Sequence, residues 1–142
     1  MAEHVLLVDD EQEFLDVMKE RLSARGMQVS TETSPEDALK RIESELFDAL
    51  ILDLQMPGID GLEALKRAKK ARPELQVILL TGHATVEKGV EAIKLGAMDF
   101  VEKPADLGAL SDKIKRAKQS KMLIVEKMNQ EKIVEMLRKF GV

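Results

Sequence analysis

Ala49-Leu50-Ile51-Leu52-Asp53-Leu54-Gln55-Met56-Pro57-Gly58-Ile59-Asp60-Gly61 is the stretch from which the fold is read. Four consecutive apolar residues run straight into a carboxylate, and the lack of polar alternation predicts a strand buried on both faces. Met56-Pro57-Gly58 is a turn signal, so Asp53 should stand at the strand's carboxyl end.

The same grammar repeats on either side. His4-Val5-Leu6-Leu7-Val8 is an aliphatic run ending on Asp9-Asp10. From Gln12, the residues Phe14, Leu15, Met18 and Leu22 recur at helical spacing up to Gly26, which suits the left-handed turn that closes a helix. Residues 27–31, apolar at 27 and 29, predict a short strand near a sheet edge. Ser34-Pro35-Glu36-Asp37 starts the next helix: Ser34 can cap, Pro35 fits the first turn, and the two acids complement the helix dipole. Ala38, Leu39, Ile42 and Leu46 are its expected buried stripe. Leu62, Leu65 and Ala68 mark a third helix that ends near Arg72-Pro73. Residues 75–80 are a nearly continuous apolar strand ending in Thr81-Gly82. Val86, Val90 and Ile93 predict a helix stopped by Gly96. Residues 98–101 give a fifth strand ending in Glu102-Lys103-Pro104, and Leu107, Leu110, Ile114 and Ala117 open a fifth helix.

Five strands alternating with five helices predict a parallel sheet covered on both faces, an open doubly wound α/β architecture with right-handed crossovers. In such sheets the working site forms outside the carboxyl ends of the strands. Four of the five strand ends deliver polar groups there: Asp9 and Asp10, Asp53, Thr81, and Lys103. Converging carboxylates repel one another and so take up protons or a hard cation. Oxygen donors only, with no thiol and no suitable histidine, favour Mg²⁺ as that cation. A lysine and a threonine hydroxyl in the same cleft are partners for phosphoryl oxygens, and the whole set suits phosphoryl transfer to an aspartate.

Composition narrows the alternatives. The 142 residues fit one compact domain and contain no cysteine, which excludes disulfides and thiolate chemistry. The two histidines, His4 and His83, do not have helical zinc-site spacing. Residues 105–142 carry nine Lys/Arg against five Asp/Glu, whereas residues 1–104 carry 13 against 21. An acidic body with a mildly basic tail is a poor match for DNA phosphates. With no Trp or Tyr and four Phe, stacking platforms for single strands are missing too. No run of 18 apolar residues occurs, and Met1-Ala2-Glu3-His4 lacks a basic region followed by an apolar one, so a cytoplasmic protein without a membrane span is expected.

Val8-Asp9-Asp10-Glu11, the segment from Asp53 to Gly61, Leu80-Thr81-Gly82-His83, and Phe100-Val101-Glu102-Lys103-Pro104 together resemble, in order and spacing, a response-regulator receiver domain of two-component signalling, chemotaxis-regulator-like. The resemblance covers roughly residues 3–118. It implies a flavodoxin-like sheet of order 2-1-3-4-5, with residues 1–119 as the receiver and 120–142 as a helical extension. It also implies that Asp53 accepts a phosphoryl group from a histidine kinase or phosphotransfer protein. Asp10 would be a direct Mg²⁺ ligand, Asp9 a ligand through water, and Gln55 a ligand through its backbone carbonyl. Lys103 would pair with the phosphoryl group, across a Lys103-Pro104 bond often cis in relatives. Thr81 would be the switch hydroxyl with the Gly82 amide beside it, and Phe100 the switch aromatic. Phosphorylation would then bias the face made by the fourth helix, fifth strand and fifth helix, with no enzymatic activity toward outside substrates. His83 falls where family members vary and tune phosphate lifetime; the plainer reading is a solvated loop histidine.

Other readings stay open. Each carboxylate alone is as readily a helix cap or a solvated strand end, and Gly58 and Gly61 are turn formers without phosphate-loop spacing. An Mg²⁺-dependent phosphatase with Asp53 as nucleophile would want a second acid two residues on, where Gln55 stands. A phosphate-independent scaffold would leave the polar set idle. In the tail, residues 107, 110, 114, 117, 121, 124 and 128 follow a 3-4 spacing that could seat a homodimer. Asn129-Gln130 is expected to interrupt it, ahead of a second apolar stripe at Ile133, Val134, Leu137 and Phe140. A helix folded back on the domain and the stub of an output region are the alternatives.

Overall fold

The computed structural model describes residues 2–82, 86–104 and 106–141, Val86 by its backbone alone. Strands β1 (His4–Val8), β2 (Gln28–Glu32), β3 (Ala49–Asp53), β4 (Gln76–Thr81) and β5 (Asp99–Glu102) alternate with helices α1 (Gln12–Ala24), α2 (Pro35–Ser44), α3 (Gly61–Ala71), α4 (Val86–Lys94) and α5 (Leu107–Lys139). All strand pairs are parallel, in the order β2-β1-β3-β4-β5. The chain therefore builds outward from β1 to β2 and then crosses back to β3. That reversal leaves a crevice at the carboxyl ends of β1 and β3, where open α/β sheets bind ligands.

Side-chain alternation in the strands sorts the helices into two layers. Leu6, Val8, Leu50, Leu52, Val77 and Leu79 point to α2, α3 and α4, where Ile42, Leu65 and Ala68 meet them. Val5, Leu7, Ile51, Ile78 and Leu80 point to α1 and α5 and pack on Leu15, Leu22, Leu110 and Ile114. Helix starts are fixed by side-chain caps: Ser34 Oγ accepts from the Asp37 amide, Asp60 from Leu62, and Asp106 from Ala109. Gly26 closes α1 with φ +85°, as its position after the helix requires.

The structure corrects several details of the sequence reading. β2, β4 and β5 lie one residue further along, so Thr81 ends β4 as a strand residue. Leu46 is 64% exposed: α2 ends at Ser44, Glu45 turns extended, and Phe47 takes the inward place. On α4, Val90 and Ile93 face outward, and Ala92 is buried instead. The Phe100 ring lies 3.7 Å from where a Cβ on Gly89 would stand, so this helix approaches the sheet through its small residues.

Asn129-Gln130 does not interrupt α5, which continues unbroken for 33 residues, about 50 Å. Both amides are tolerated helix formers, and both are exposed. The 3-4 seam is also not free along its first half. Leu110, Ile114 and Ala117 are buried on the protein's own sheet. Lys121 Nζ lies 3.4 Å from Asp48 Oδ1, at the amino edge of β3. No helix among the described residues is long and apolar enough to cross a membrane.

Candidate functional site

Asp9, Asp10 and Asp53 leave neighbouring strands β1 and β3 at the crevice, and a carboxylate oxygen from each lies within 4.8 Å of the other two. Asp9 and Asp53 are buried, while Asp10 is exposed at the rim. Each buried acid has one oxygen tied by a backbone amide two residues on: Asp9 Oδ1 accepts from Glu11 at 2.9 Å and Asp53 Oδ1 from Gln55 at 3.0 Å. The free oxygens converge on one cation. Lys103 Nζ lies 2.6 Å from Asp9 Oδ2 and 3.2 Å from Asp53 Oδ2. Lys103 reaches them because its amide donates to the Thr81 carbonyl at 2.7 Å, extending the β4–β5 ladder past the strand end. The peptide bond from Lys103 to Pro104 is cis.

Charge balance follows from this sharing. Burial pushes the Asp53 carboxyl above its ordinary range, the Gln55 amide and Lys103 pull it down, and nearby Asp9 pushes it up again; the net shift is upward. For Lys103, burial works to lower the ammonium, but the hydrogen bond to Asp9 and the attraction of Asp53 and Asp9 outweigh it and raise it. Burial outweighs what a lysine divided between two acids can offer, so the Asp53 carboxyl stays raised although it is paired. Three carboxylates against one ammonium leave the crevice anionic, and a set of oxygen donors of this kind could hold a hard divalent cation.

The remaining predicted residues frame the crevice. Thr81 is buried one residue beyond Leu80, the register partner of Asp53. Gly82 sits at the rim, where Gln55 Oε1 lies 3.8 Å from the place a Gly82 Cβ would occupy. Phe100 is half-buried on the α2–α3–α4 side, packed on the core next to Gly89, and does not enter the crevice. His83 lies outside the described residues. Sequence reading missed one participant. Phe14, counted only as α1 core, holds its ring centroid 4.4 Å from Lys103 Nζ. The signal was available: α1 starts directly after the acidic pair, so its first inward turn must abut the crevice.

A doubly wound 2-1-3-4-5 sheet whose switch point carries this acidic trio and a lysine from beyond the fifth strand has the architecture of a phosphorylation-switched signalling receiver. The chain belongs to the response regulator receiver domain family, which residues 5–115 match. It is 34% identical over 125 residues to the C4-dicarboxylate transport transcriptional regulatory protein DctD of Rhizobium meliloti, covering 88% of this chain and 27% of that protein. It is 34% identical over 114 residues to the transcriptional regulatory protein FixJ of Bradyrhizobium diazoefficiens, covering 80% of this chain and 56% of that one. Among solved structures, a CheY-like receiver domain protein from Methanospirillum hungatei superposes with a TM-score of 0.81 at 31% identity, covering 86% of this chain and 98% of that one. NtrX from Brucella abortus superposes with a TM-score of 0.83 at 35% identity, covering 92% of this chain and 30% of that one. The chain thus spans about a quarter of the length of the DctD protein it matches.

Proposed function

We propose that Asp53 is the phosphoacceptor of this receiver. The observation that carries the reading is Lys103 bridging the buried Asp9 and Asp53 beside the exposed Asp10, a concentration of like charge that the packing of the fold does not require. Asp53 attacks the phosphorus of a phosphohistidine on a sensor kinase or phosphotransfer protein. A P–O bond forms as the P–N bond breaks, and the imidazole departs with the bonding pair and takes a proton from solvent. Asp9, Asp10, Asp53 and the backbone carbonyl of Gln55 would hold Mg²⁺, which when bound supplies neutralising charge for the phosphoryl oxygens. Lys103 gives up Asp53 and pairs with the phosphoryl group. Hydrolysis of the acyl phosphate resets the domain, so the chemistry acts on the chain itself and on no outside substrate.

The phosphoryl group adds roughly 1.5–2 negative charges at the end of β3. Thr81, with the Gly82 amide beside it, answers that charge, and Phe100 repacks against α4 as Thr81 moves. The readout is the α4–β5–α5 face, where Val90 and Ile93 are already exposed for a protein partner. The acidic body supports protein rather than nucleic-acid contacts, and the proposed phosphohistidine donor supports a cytoplasmic protein. Residues 1–119 make up the receiver and 120–142 its helical extension. On that extension Met122, Ile133, Met136, Leu137 and Phe140 are exposed, which supports pairing with a second copy of the chain.

The test is labelling by acetyl phosphate with Mg²⁺, followed by mass spectrometry of the intact chain. Labelling is expected in the wild type and absent in Asp53→Asn with the fold unchanged. Persistent labelling of the variant removes Asp53 from the role.

A further inference from the structure

We propose that Phe14 is a positioning residue for Lys103, its ring face completing the shell of an ammonium already divided between Asp9 and Asp53; this rests on the assignment of Lys103 to the phosphoryl group. An ammonium carries three N–H donors. Two are accounted for by the carboxylates at 2.6 and 3.2 Å. The Phe14 centroid at 4.4 Å lies well inside the roughly 6 Å over which an aromatic face attracts a cation. The Lys103 side chain is only 20% exposed, so little water competes for the remaining side of the charge.

Packing alone does not account for an aromatic ring here. Phe14 lies at the margin of the α1–α5 core, half-buried and packed against the fully buried cluster that includes Leu15 and Leu110. An aliphatic side chain could fill that margin. An aromatic face, unlike an aliphatic side chain, offers negative charge density to the ammonium, and it does so without adding another anion to a crevice that already holds three.

This contact matters when the phosphoryl group arrives. Lys103 must then exchange Asp53 for a phosphoryl oxygen, and its four-carbon stem is flexible. A carboxylate contact is directional and is lost when the nitrogen moves, whereas attraction to a ring face is broad. Phe14 therefore keeps the ammonium over the crevice through the exchange. It touches neither Asp53 nor the phosphoryl group, and acts through Lys103.

The experiment replaces Phe14 with 4-fluoro-, 3,5-difluoro- and 3,4,5-trifluorophenylalanine, which keep the shape while draining the ring face of negative charge. Labelling rates with acetyl phosphate and Mg²⁺ are read by mass spectrometry, with thermal unfolding of each variant alongside. The expected result is a stepwise fall in rate, reaching about twofold to fivefold for the trifluoro ring, with the unfolding midpoint nearly constant. Phe14→Trp keeps the rate, and Phe14→Leu falls to the trifluoro level. A flat series, with Phe14→Leu as fast as wild type, overturns the proposal. Lys103→Ala separates the layers. If it labels normally, the Lys103 assignment fails and Phe14 falls with it. If it labels slowly while the fluorinated series is flat, only the Phe14 proposal fails.

Discussion

Gly61 packs so closely on Leu54 that a Cβ at residue 61 would stand 2.8 Å from both Leu54 Cα and Leu54 Cδ2. The β3–α3 turn is thereby folded flat onto the first residue of α3, whose start Asp60 caps. Gly61→Ala has to push out the segment that carries Gln55. A loss of about 1–3 kcal/mol is expected, the usual cost of overpacking. A lower urea midpoint at unchanged slope, together with weaker Mg²⁺ binding by calorimetry, checks it. Unchanged Mg²⁺ affinity would show that the turn moves without disturbing the crevice.

Asp53 sits in its site at a cost. Burial is the main force raising its carboxyl above the ordinary range, and Asp9 adds repulsion. Asp53→Asn removes the charge yet keeps an oxygen for Lys103. The metal-free variant is therefore expected to be more stable than wild type, by about 1 kcal/mol or a midpoint rise of roughly 2–5 °C. Mg²⁺ should raise the wild-type midpoint by mass action and raise that of the variant much less. Differential scanning calorimetry with and without a chelator reads both effects.

Asp99 shows the opposite sign and lies away from the crevice. Burial works to raise its carboxyl, but the hydrogen bond from Lys113 at 2.5 Å, the Phe100 amide, and the charges of Lys113 and Arg116 together lower it below its usual 3.8. The unfolded chain then holds this proton more tightly than the folded one. The stability it contributes is full above that value and is lost as pH falls through the lower folded pKa. Urea midpoints of chelator-treated protein, taken from neutral pH down to about pH 3, should fall less steeply in Asp99→Asn than in wild type. Parallel curves would mean that the Asp99–Lys113 pair contributes nothing.

Most of the fold was legible because a doubly buried parallel strand leaves an unambiguous trace. Residues 49–53 and 77–81 are apolar runs that end on polar residues, and marking the ends of all the strands gathered Asp9, Asp10, Asp53, Thr81 and Lys103 without knowledge of strand order. The order itself was not legible from periodicity and came from the resemblance, since pairing depends on which strands meet across the crossovers. Leu46 misled because an apolar residue in helical phase marks the inner face only while the helix lasts, and α2 ends at Ser44. Phe14 was read for its hydrophobicity alone, because one-dimensional spacing cannot show that Lys103, 89 positions later, lies over its ring. Spacing alone also could not show that the domain itself uses the first half of the tail's 3-4 row, Leu110, Ile114 and Ala117.

The free part of α5 yields the last prediction. Beyond Lys121, held by Asp48, the helix leaves the domain with Met122, Ile133, Met136, Leu137 and Phe140 exposed to water. Ile133, Leu137 and Phe140 follow a 4-3 spacing, which on one helix is a continuous stripe and between two helices a seam. A lone helix in water gains nothing from this apolar row, whereas burying the row against a second copy removes several large side chains from water at roughly 1.5–3 kcal/mol each. The full chain should therefore be dimeric at micromolar concentration by light scattering. Ile133→Glu combined with Leu137→Glu, or truncation after Gln119, should make it monomeric. Because these residues do not touch the sheet, acetyl phosphate labelling should be unchanged in the double variant. A full chain that stays monomeric both with and without beryllofluoride and Mg²⁺ would mean that the stripe meets a different partner.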